Sequence, residues 1–179
     1  MNILITPTHA GGGSLPAEAR SDLRPLALDD PAMRAFSDFR IRHPVTIDEN
    51  SLIDEALAMM IQHGVRALLA MRASLIAGLI TSYDIQGEKP LQFLQKSTYT
   101  RHEDIRVADI MTPWDQLSTI DHSTIAFLSV EDLLALFRSG RSPSHLLVVE
   151  GNGASPTVVR GIISRFWIER QLEGEPNAH

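Results

Sequence analysis

The chain has 179 residues, 44% of them hydrophobic, and it contains no cysteine. This length and composition predict one or two small globular domains and exclude disulfides, thiol catalysis and thiolate-bound zinc. The net charge of -6 and the lack of any run of lysine or arginine argue against nucleic acid as a partner. Because the sequence starts without a basic and apolar leader and has no run of about 18 apolar residues, we expect a cytoplasmic protein with no membrane partner.

The N-terminal part of the chain predicts a flexible arm over residues 1–35. Residues 7–32 are rich in glycine, proline and charge, and they show neither helix nor strand periodicity. Structured sequence is therefore expected from about Met33 onward. At the other end, residues 174–179 predict a short C-terminal tail.

The first structured segment, residues 44–64, predicts a short strand, a polar break and an amphipathic helix that ends at Gly64. The apolar positions of this helix, spaced i, i+3, i+4 and i+7, are Ile53, Ala56, Leu57 and Met60. The apolar runs VRALLAM and LIAGLIT that follow are too short for helices, so they predict two buried strands joined by a tight turn. A second helix is expected after Thr81, with interruptions at Gly87 and Pro90.

The same order of elements recurs about 77 residues downstream. LSTIDHST predicts a strand and turn, and FLSVEDLLALFRSG predicts an amphipathic helix. SHLLVVE and TVVRGIISR then match the two strands of the first copy, with the turn-rich segment GNGASP between them. The chain is therefore predicted to be a tandem repeat of a β-α-β-β-α unit, with copies over residues 36–100 and 101–173.

The segment GLITSYD places a glycine, a hydroxyl and a carboxylate three residues apart, at Gly78, Thr81 and Asp84. Taken locally, Thr81 followed by Asp84 is typical of a helix-capping box in which aspartate replaces the usual glutamate or glutamine. Alternatively, the ionised carboxylate offers acceptor oxygens to the vicinal diol of a ribose. The second copy keeps the hydroxyl as Ser164 but has Trp167 in the position of Asp84.

Together these features resemble the cystathionine beta-synthase (CBS) domain, a family whose members occur as tandem pairs called Bateman modules. The resemblance rests on EALAMMIQHGVRALL and GLITSYD in the first copy and on VADIMTP, EDLLALF, LLVVE and GIIS in the second, and it spans residues 36–173. It implies an α/β (α+β) fold in which the repeats pack as a flat pseudo-twofold module with two clefts. In many relatives these clefts bind AMP, ADP, ATP or S-adenosylmethionine.

The resemblance also implies which residues would form an adenine-nucleotide site, with Thr81 and Asp84 holding the ribose. The other residues implied are Arg66 for phosphate, Leu79 and Ile80 beside the adenine, and Leu117, Ser118, Ser144 and His145 from the second repeat. Arg66 could otherwise be a solvated strand-end charge, and His145 a partly buried structural histidine. Arg165 is a weaker phosphate candidate, with surface charge as its alternative.

Trp167 cannot accept hydrogen bonds from a ribose, so we expect the cleft of the second copy to be blocked or altered. In the alternative interpretation, Trp167 is simply a core or dimer-surface aromatic residue. Either interpretation predicts one nucleotide per chain.

The resulting hypothesis is a regulatory adenine-nucleotide sensor with no catalysis and no required cofactor, acting on an unknown effector protein. The alternatives are a ligand-free dimerisation module and a small metal-dependent enzyme. The seven histidines show no metal-ligand spacing, and no G-x-S-x-G or P-loop motif is present, so the enzyme is the weaker alternative. A homodimer is expected because the first helices carry more apolar residues than one inward stripe requires. These residues are Leu52, Ile53, Met59, Met60, Leu133, Leu136 and Phe137.

Overall fold

The computed structural model describes residues 24–98, 101–139, 143–150 and 157–174. The elements of the first half are β1 (Phe36–Asp38), β2 (Thr46–Asp48), α1 (Ile53–His63), β3 (Ala67–Arg72), β4 (Leu75–Thr81), α2 (Ser82–Gln86) and α3 (Lys89–Lys96). Those of the second half are α4 (Val107–Ile110), β5 (Thr112–Pro113), β6 (Ser118–Asp121), α5 (His122–Ile125), α6 (Val130–Arg138), β7 (His145–Glu150), β8 (Val158–Ser164) and α7 (Arg165–Leu172). The predicted fold class, a tandem β-α-β-β-α arrangement, is confirmed.

Within the described residues the strands form two four-stranded sheets, ordered β2-β3-β4-β5 and β1-β8-β7-β6. In each sheet the first strand of the repeat pairs in parallel with the strand that follows the helix, which in turn pairs antiparallel with the next. The fourth strand of each sheet comes from the segment that precedes the other repeat: β5 pairs with β4, and β1 pairs with β8. This exchange of short strands ties the two repeats together.

The buried apolar side chains form one core under each long helix and a third between the two sheets. In the first repeat α1 contributes Ile53, Ala56 and Met60. In the second repeat α6 contributes Val130, Leu133, Leu134 and Phe137. The third cluster is formed by Leu69, Leu79 and Leu147, which come from β3, β4 and β7. Because it draws on strands of both sheets, this third cluster fixes the position of one repeat against the other.

Part of the predicted dimer surface is wrong, because several of its residues are buried in the cores. Ile53, Met60, Leu133 and Phe137 are at most 2% exposed, so they do not contribute to an outer surface. The helical pattern alone cannot show how wide a stripe the sheet covers, and the sheet covers more of each helix than the sequence suggests. Leu136, in contrast, is 40% exposed.

Residues 24–35 are packed against the second repeat, which corrects the predicted flexible arm. The buried residues of this segment are Leu26, Ala32 and Ala35. Asp30 is buried as well and pairs with Arg24 and Arg34. The hydrogen bond from Arg24 is the main reason that the pKa of Asp30 is lowered to about 2. The segment shows no periodicity because most of it is irregular, and a few buried contacts are enough to hold an irregular segment in place. Residues 1–23 lie outside the described part of the chain.

The segment before the second repeat packs in the corresponding way on the first repeat. Ile105, Val107 and Ile110 are buried in the core that contains α1. The main chain is also joined, because Ile53 N donates to Ile105 O at 3.1 Å and Val107 N donates to Ser51 O at 2.9 Å. In packing, the first repeat therefore extends to β5, beyond the predicted boundary at residue 100. Most of the predicted C-terminal tail, residues 175–179, lies outside the described residues.

Candidate functional site

A cavity of about 300 Å³ lies between the two repeats, and we call it the Trp167 cavity. The first repeat and its preceding segment contribute Ala35, Ser37, Phe39, residues 42–45, residues 64–67, Leu69 and Leu79. The second repeat contributes His145, Ile162, Ser164, Phe166, Trp167, Arg170 and Gln171. Trp167 is 37% exposed and forms part of the wall. Of the two outcomes expected for this cleft, blocked or altered, the structure agrees with the second, because the cavity is open and Trp167 forms part of its wall in the position equivalent to Asp84.

Two tight chain reversals bring the cavity walls together. Helix α1 ends at Gly64 in the left-handed conformation, with φ 64°, and the chain then passes through Arg66 into β3. Left-handed backbone carries no steric penalty for glycine. Helix α7 follows β8 without a loop, and Ser164 caps it by accepting a hydrogen bond from Trp167 N at 3.4 Å. This direct connection places Phe166 and Trp167 in the first turn of α7, beside the cavity.

The Trp167 cavity has positive and aromatic walls. Among the described residues, its charged lining consists of Arg42, Arg66 and Arg170, without an aspartate or glutamate. The guanidinium carbon of Arg66 lies 4.5 Å from the centroid of the Phe166 ring, and that of Arg170 lies 5.7 Å from the same centroid. Such cation–π contacts restrain the guanidinium groups without neutralising their charge. The cavity therefore favours an anion.

His145 stands at the start of β7 and also lines this cavity. Burial lowers the pKa of His145 to about 4, and the negative charge of Asp84 opposes part of that shift. The imidazole is therefore neutral at pH 7, and each ring nitrogen can only donate or accept one hydrogen bond. Nδ1 lies 2.9 Å from the hydroxyl oxygen of Ser144.

Asp84 caps α2 in the way that the local sequence predicts. One carboxylate oxygen, Oδ2, accepts from Thr81 N at 2.8 Å and from Thr81 Oγ1 at 2.7 Å, while Asp84 N donates to Thr81 Oγ1 at 3.2 Å. The other oxygen, Oδ1, lies 2.7 Å from Lys89 Nζ. Because a carboxylate has about four acceptor positions, Oδ1 keeps capacity for a further donor. The capping interpretation is confirmed, and it leaves room for a ligand contact.

The structure separates the remaining predicted site residues into three groups. Ile80 is fully buried in the first core, so the prediction that it flanks an adenine is wrong. Leu79 and Leu117 belong to the cluster between the sheets. Ser118 and His145 begin the paired strands β6 and β7, and Ser144 directly precedes β7.

The two arginines predicted as phosphate candidates, Arg66 and Arg165, both have side-chain partners on α7. Arg66 lines the Trp167 cavity. The Arg165 side chain lies 2.7 Å from Glu169 and is part of the surface, which supports its assignment as surface charge. The two repeats form an equivalent main-chain hydrogen bond here. In the first repeat Ser82 N donates to Arg66 O at 2.9 Å, and in the second Arg165 N donates to Ser144 O at 3.0 Å.

Sequence reasoning missed Arg42, His43, Phe166 and Arg170 as residues of a site. The internal repeat could have predicted part of this cavity wall. Pro44 and Val45 in the first repeat are equivalent to Leu117 and Ser118 in the second. The strand registers show this equivalence: Thr46 pairs with Leu69, and Thr119 pairs with Leu147. Applying the symmetry to both clefts would have predicted residues 42–45 as a ligand-facing segment.

Within the residues that the structure describes, no three histidine, aspartate or glutamate side chains cluster in a way that could hold a metal ion. The described helices also include none that is long and apolar enough to cross a membrane.

Residues 36–88 match the family model of the CBS domain. The matched segment is therefore identified as a CBS domain. The match begins at β1, the strand that completes the second sheet, and ends just after α2, so the second repeat lies outside it. No curated protein matches the sequence.

Solved structures of CBS-domain proteins have the same fold over most of the chain. A protein with CBS domains from Burkholderia ambifaria MC40-6 is 23% identical with a TM-score of 0.54, over 77% of this chain and 88% of that one. The CBS domain of a bacterial CNNM/CorC family Mg2+ transporter in complex with ATP is 17% identical with a TM-score of 0.52, over 83% and 90%. CBSX2 in complex with AMP is 18% identical with a TM-score of 0.51, over 81% and 97%. At these identities the likeness establishes the fold.

Proposed function

We propose that the protein is a regulatory module that binds an adenine nucleotide beside Asp84 and has no catalysis of its own. The observation that carries this proposal is the Asp84 carboxylate, which the Thr81 cap and Lys89 hold in a fixed position. A carboxylate held in this way needs no further ordering when it accepts the hydroxyl groups of a ribose. The fold shared with ATP and AMP complexes supports an adenine nucleotide as the ligand.

The proposed Asp84 site consists of Thr81, Asp84, Leu117, Ser118, Ser144 and His145. Asp84 and His145 are near enough for the carboxylate to act on the pKa of the imidazole, which supports their joint use. Ser118 and His145 begin adjacent parallel strands, so their main-chain groups lie at one end of the second sheet. The serine hydroxyl groups and the neutral imidazole would then supply uncharged hydrogen-bonding partners for the ligand.

The ligand class is AMP, ADP or ATP, with S-adenosylmethionine as a further member that shares the adenosine group. Lys89 is the nearest cation to Asp84, and its ammonium also donates to Ile110 O at 3.1 Å. Lys89 thereby links α3 to α4, the helix before β5. A bound phosphate that attracted Lys89 would weaken the contact between α3 and α4. Ligand binding could in this way change the shape of the module.

The signal would pass to an effector protein through a homodimer of this chain. The dimer proposal now rests on apolar side chains that remain outside the cores. Ile61 on α1 is 74% exposed, Phe127 between α5 and α6 is 89% exposed, and Leu136 on α6 is 40% exposed. Sedimentation equilibrium of the wild type and of the Ile61→Glu, Leu136→Glu double variant tests it. We expect a dimer for the wild type and a monomer for the variant, and a monomeric wild type would contradict the dimer.

The test of nucleotide binding uses two helix caps as a matched pair. Asp132 caps α6 from Ser129 with the same three hydrogen bonds, at 2.8, 2.7 and 3.2 Å, that Asp84 makes with Thr81. Asp132→Ala therefore removes a comparable cap and leaves the proposed site untouched. Calorimetric titration with AMP and ATP should show affinity reduced by about 1.5–3 kcal/mol in Asp84→Ala and unchanged in Asp132→Ala.

A ligand-free dimerisation module is the second candidate, and the matched caps are the observation that favours it. Asp132 forms a cap of the same geometry outside the proposed site, so Asp84 could also serve α2 alone. Thermal denaturation with AMP, ADP, ATP and S-adenosylmethionine separates the two candidates, because a ligand at 100 times its Kd stabilises the folded state by about 2.7 kcal/mol. The absence of stabilisation by all four would favour the module without a ligand.

A further inference from the structure

We propose that the Trp167 cavity is a second binding site, whose ligand is a small aromatic anion held without any ribose contact. The ligand class is a planar aromatic ring that bears a phosphate or carboxylate group. The cavity shares His145 with the proposed nucleotide site, but its arginines and Trp167 lie outside that site, and the inference rests on those residues.

The charges of the cavity select for an anion. Arg42, Arg66 and Arg170 line it, and none of the described acidic side chains does, although the net charge of the chain is -6. In the described part of the chain, neither Arg42 nor Arg66 forms an ion pair, whereas Arg72 and Arg160 are paired with glutamate or aspartate. Guanidinium groups without a carboxylate partner, set in a partly enclosed cavity, attract anions and can bind phosphate or carboxylate through two parallel hydrogen bonds.

The apolar surfaces of the cavity select for a flat body. The Phe166 ring is held between Arg66 on its face and Tyr83, whose ring centroid lies 6.0 Å away in an edge-to-face arrangement. Trp167 presents its indole to the same space. Further apolar walls are provided by Phe39, Leu69, Leu79 and Ile162. Offset aromatic rings provide the surface on which another ring stacks.

The cavity lacks the acceptor that a ribose would need. The strand registers, Ala67 with Thr81 and His145 with Ser164, make Ser164 the equivalent of Thr81. Trp167 is therefore the equivalent of Asp84, and an indole N–H can only donate. The volume of about 300 Å³ is at the small end of ligand pockets, which suits a single ring with one anionic group.

The experiment uses phenyl phosphate as the probe and Trp167 as the reporter. The chain has two tryptophans, so Trp114→Phe leaves Trp167 as the only one, and Trp114 does not line the cavity. Titration of this variant with phenyl phosphate should change the tryptophan fluorescence in a saturable way. Phenol, which has the ring without the charge, and inorganic phosphate, which has the charge without the ring, should each bind at least about tenfold more weakly.

Two arginine variants in the same background locate the site. Arg66→Ala and Arg42→Ala should each weaken phenyl phosphate at least about tenfold, and the exposed Arg138→Ala should leave its affinity unchanged. Arg42 makes no cation–π contact with Phe166, so its variant remains informative if Arg66→Ala disturbs the aromatic cluster. Asp84→Ala should bind phenyl phosphate as the parent does, which separates this result from the nucleotide proposal. No saturable signal, equal binding of phenol or inorganic phosphate, or unchanged affinity in both arginine variants would overturn the inference.

Discussion

The Asp84 site and the Trp167 cavity are built from equivalent parts of two repeats, yet they offer opposite chemistry. At the Asp84 site a fixed carboxylate is accompanied by serines and a neutral histidine. At the Trp167 cavity the same backbone position carries an indole, and arginines provide the charge. The two equivalent positions therefore offer a ligand different groups: a carboxylate that can accept hydrogen bonds from hydroxyl groups at one, and an indole accompanied by arginines at the other.

The helix caps at these two sites show what the local sequence decides and what it does not. Thr81 with Asp84 and Ser129 with Asp132 form complete capping boxes, whereas Ser164 accepts from Trp167 N alone. The cap follows from residues three apart in the chain. Which cap faces a ligand depends on the other repeat, so it follows from the packing of distant segments.

The largest effect is expected where the exchanged strands approach the sheets. A Cβ atom at Gly161 would lie 2.1 Å from Ser37 O, and one at Gly78 would lie 2.5 Å from Thr112 O. Both contacts are with main chain and cannot be relieved by a rotamer change. Gly161→Ala should lower the free energy of unfolding in urea by about 3 kcal/mol or more, and Gly78→Ala by less. The reverse order would contradict the expectation, drawn from these two distances, that β1 approaches its sheet more closely than β5 does.

The neutral histidine between the two sites gives an intermediate effect that depends on pH. The pKa of His145 is about 4 in the folded protein against an ordinary value of 6.5, so between these values the unfolded chain binds more protons. Stability is therefore lost as pH falls from about 6.5 to about 4, by on the order of 2 kcal/mol. Urea denaturation across this range should show a shallower decline in His145→Gln than in the wild type. An unchanged slope would mean that His145 is solvated in the folded state.

The smallest effect is expected from the matched caps. Asp84→Ala and Asp132→Ala should each reduce the free energy of unfolding by about 1 kcal/mol, the usual cost of losing a helix cap. Because Asp84 also pairs with Lys89, its variant should be the slightly less stable of the two. Thermal denaturation of both variants in parallel measures the difference. A much larger loss in Asp84→Ala would show that its role in the fold exceeds capping.

The sequence predicts those parts of the fold that carry local periodicity or a local signal. The α1 helix and its end at Gly64, the β3 and β4 strands, and the duplicated order of elements are all confirmed. The exchanged strands β1 and β5 are only three and two residues long, so no alternation of apolar and polar residues can be recognised in them. They form strands because they pair with the sheet of the other repeat.

The candidate sites were predictable to different degrees. Asp84 and Thr81 stand out because their spacing is itself the signal. Arg42, Phe166 and Trp167 come together only when α7 packs against the segment between β1 and β2, which lies far from α7 in the chain. Ile80 illustrates the opposite error, since an apolar residue next to a motif was assigned to a ligand when the core buries it completely.

A crystal structure grown with both AMP and phenyl phosphate tests the central claim, that the two equivalent positions differ in ligand chemistry. The result we predict is AMP at the Asp84 site, with its ribose hydroxyl groups within hydrogen-bonding distance of the Asp84 carboxylate, and phenyl phosphate in the Trp167 cavity, with its phosphate on Arg66 or Arg42. AMP bound beside Trp167 with nothing beside Asp84 would contradict the claim, because ribose recognition would then not follow the carboxylate.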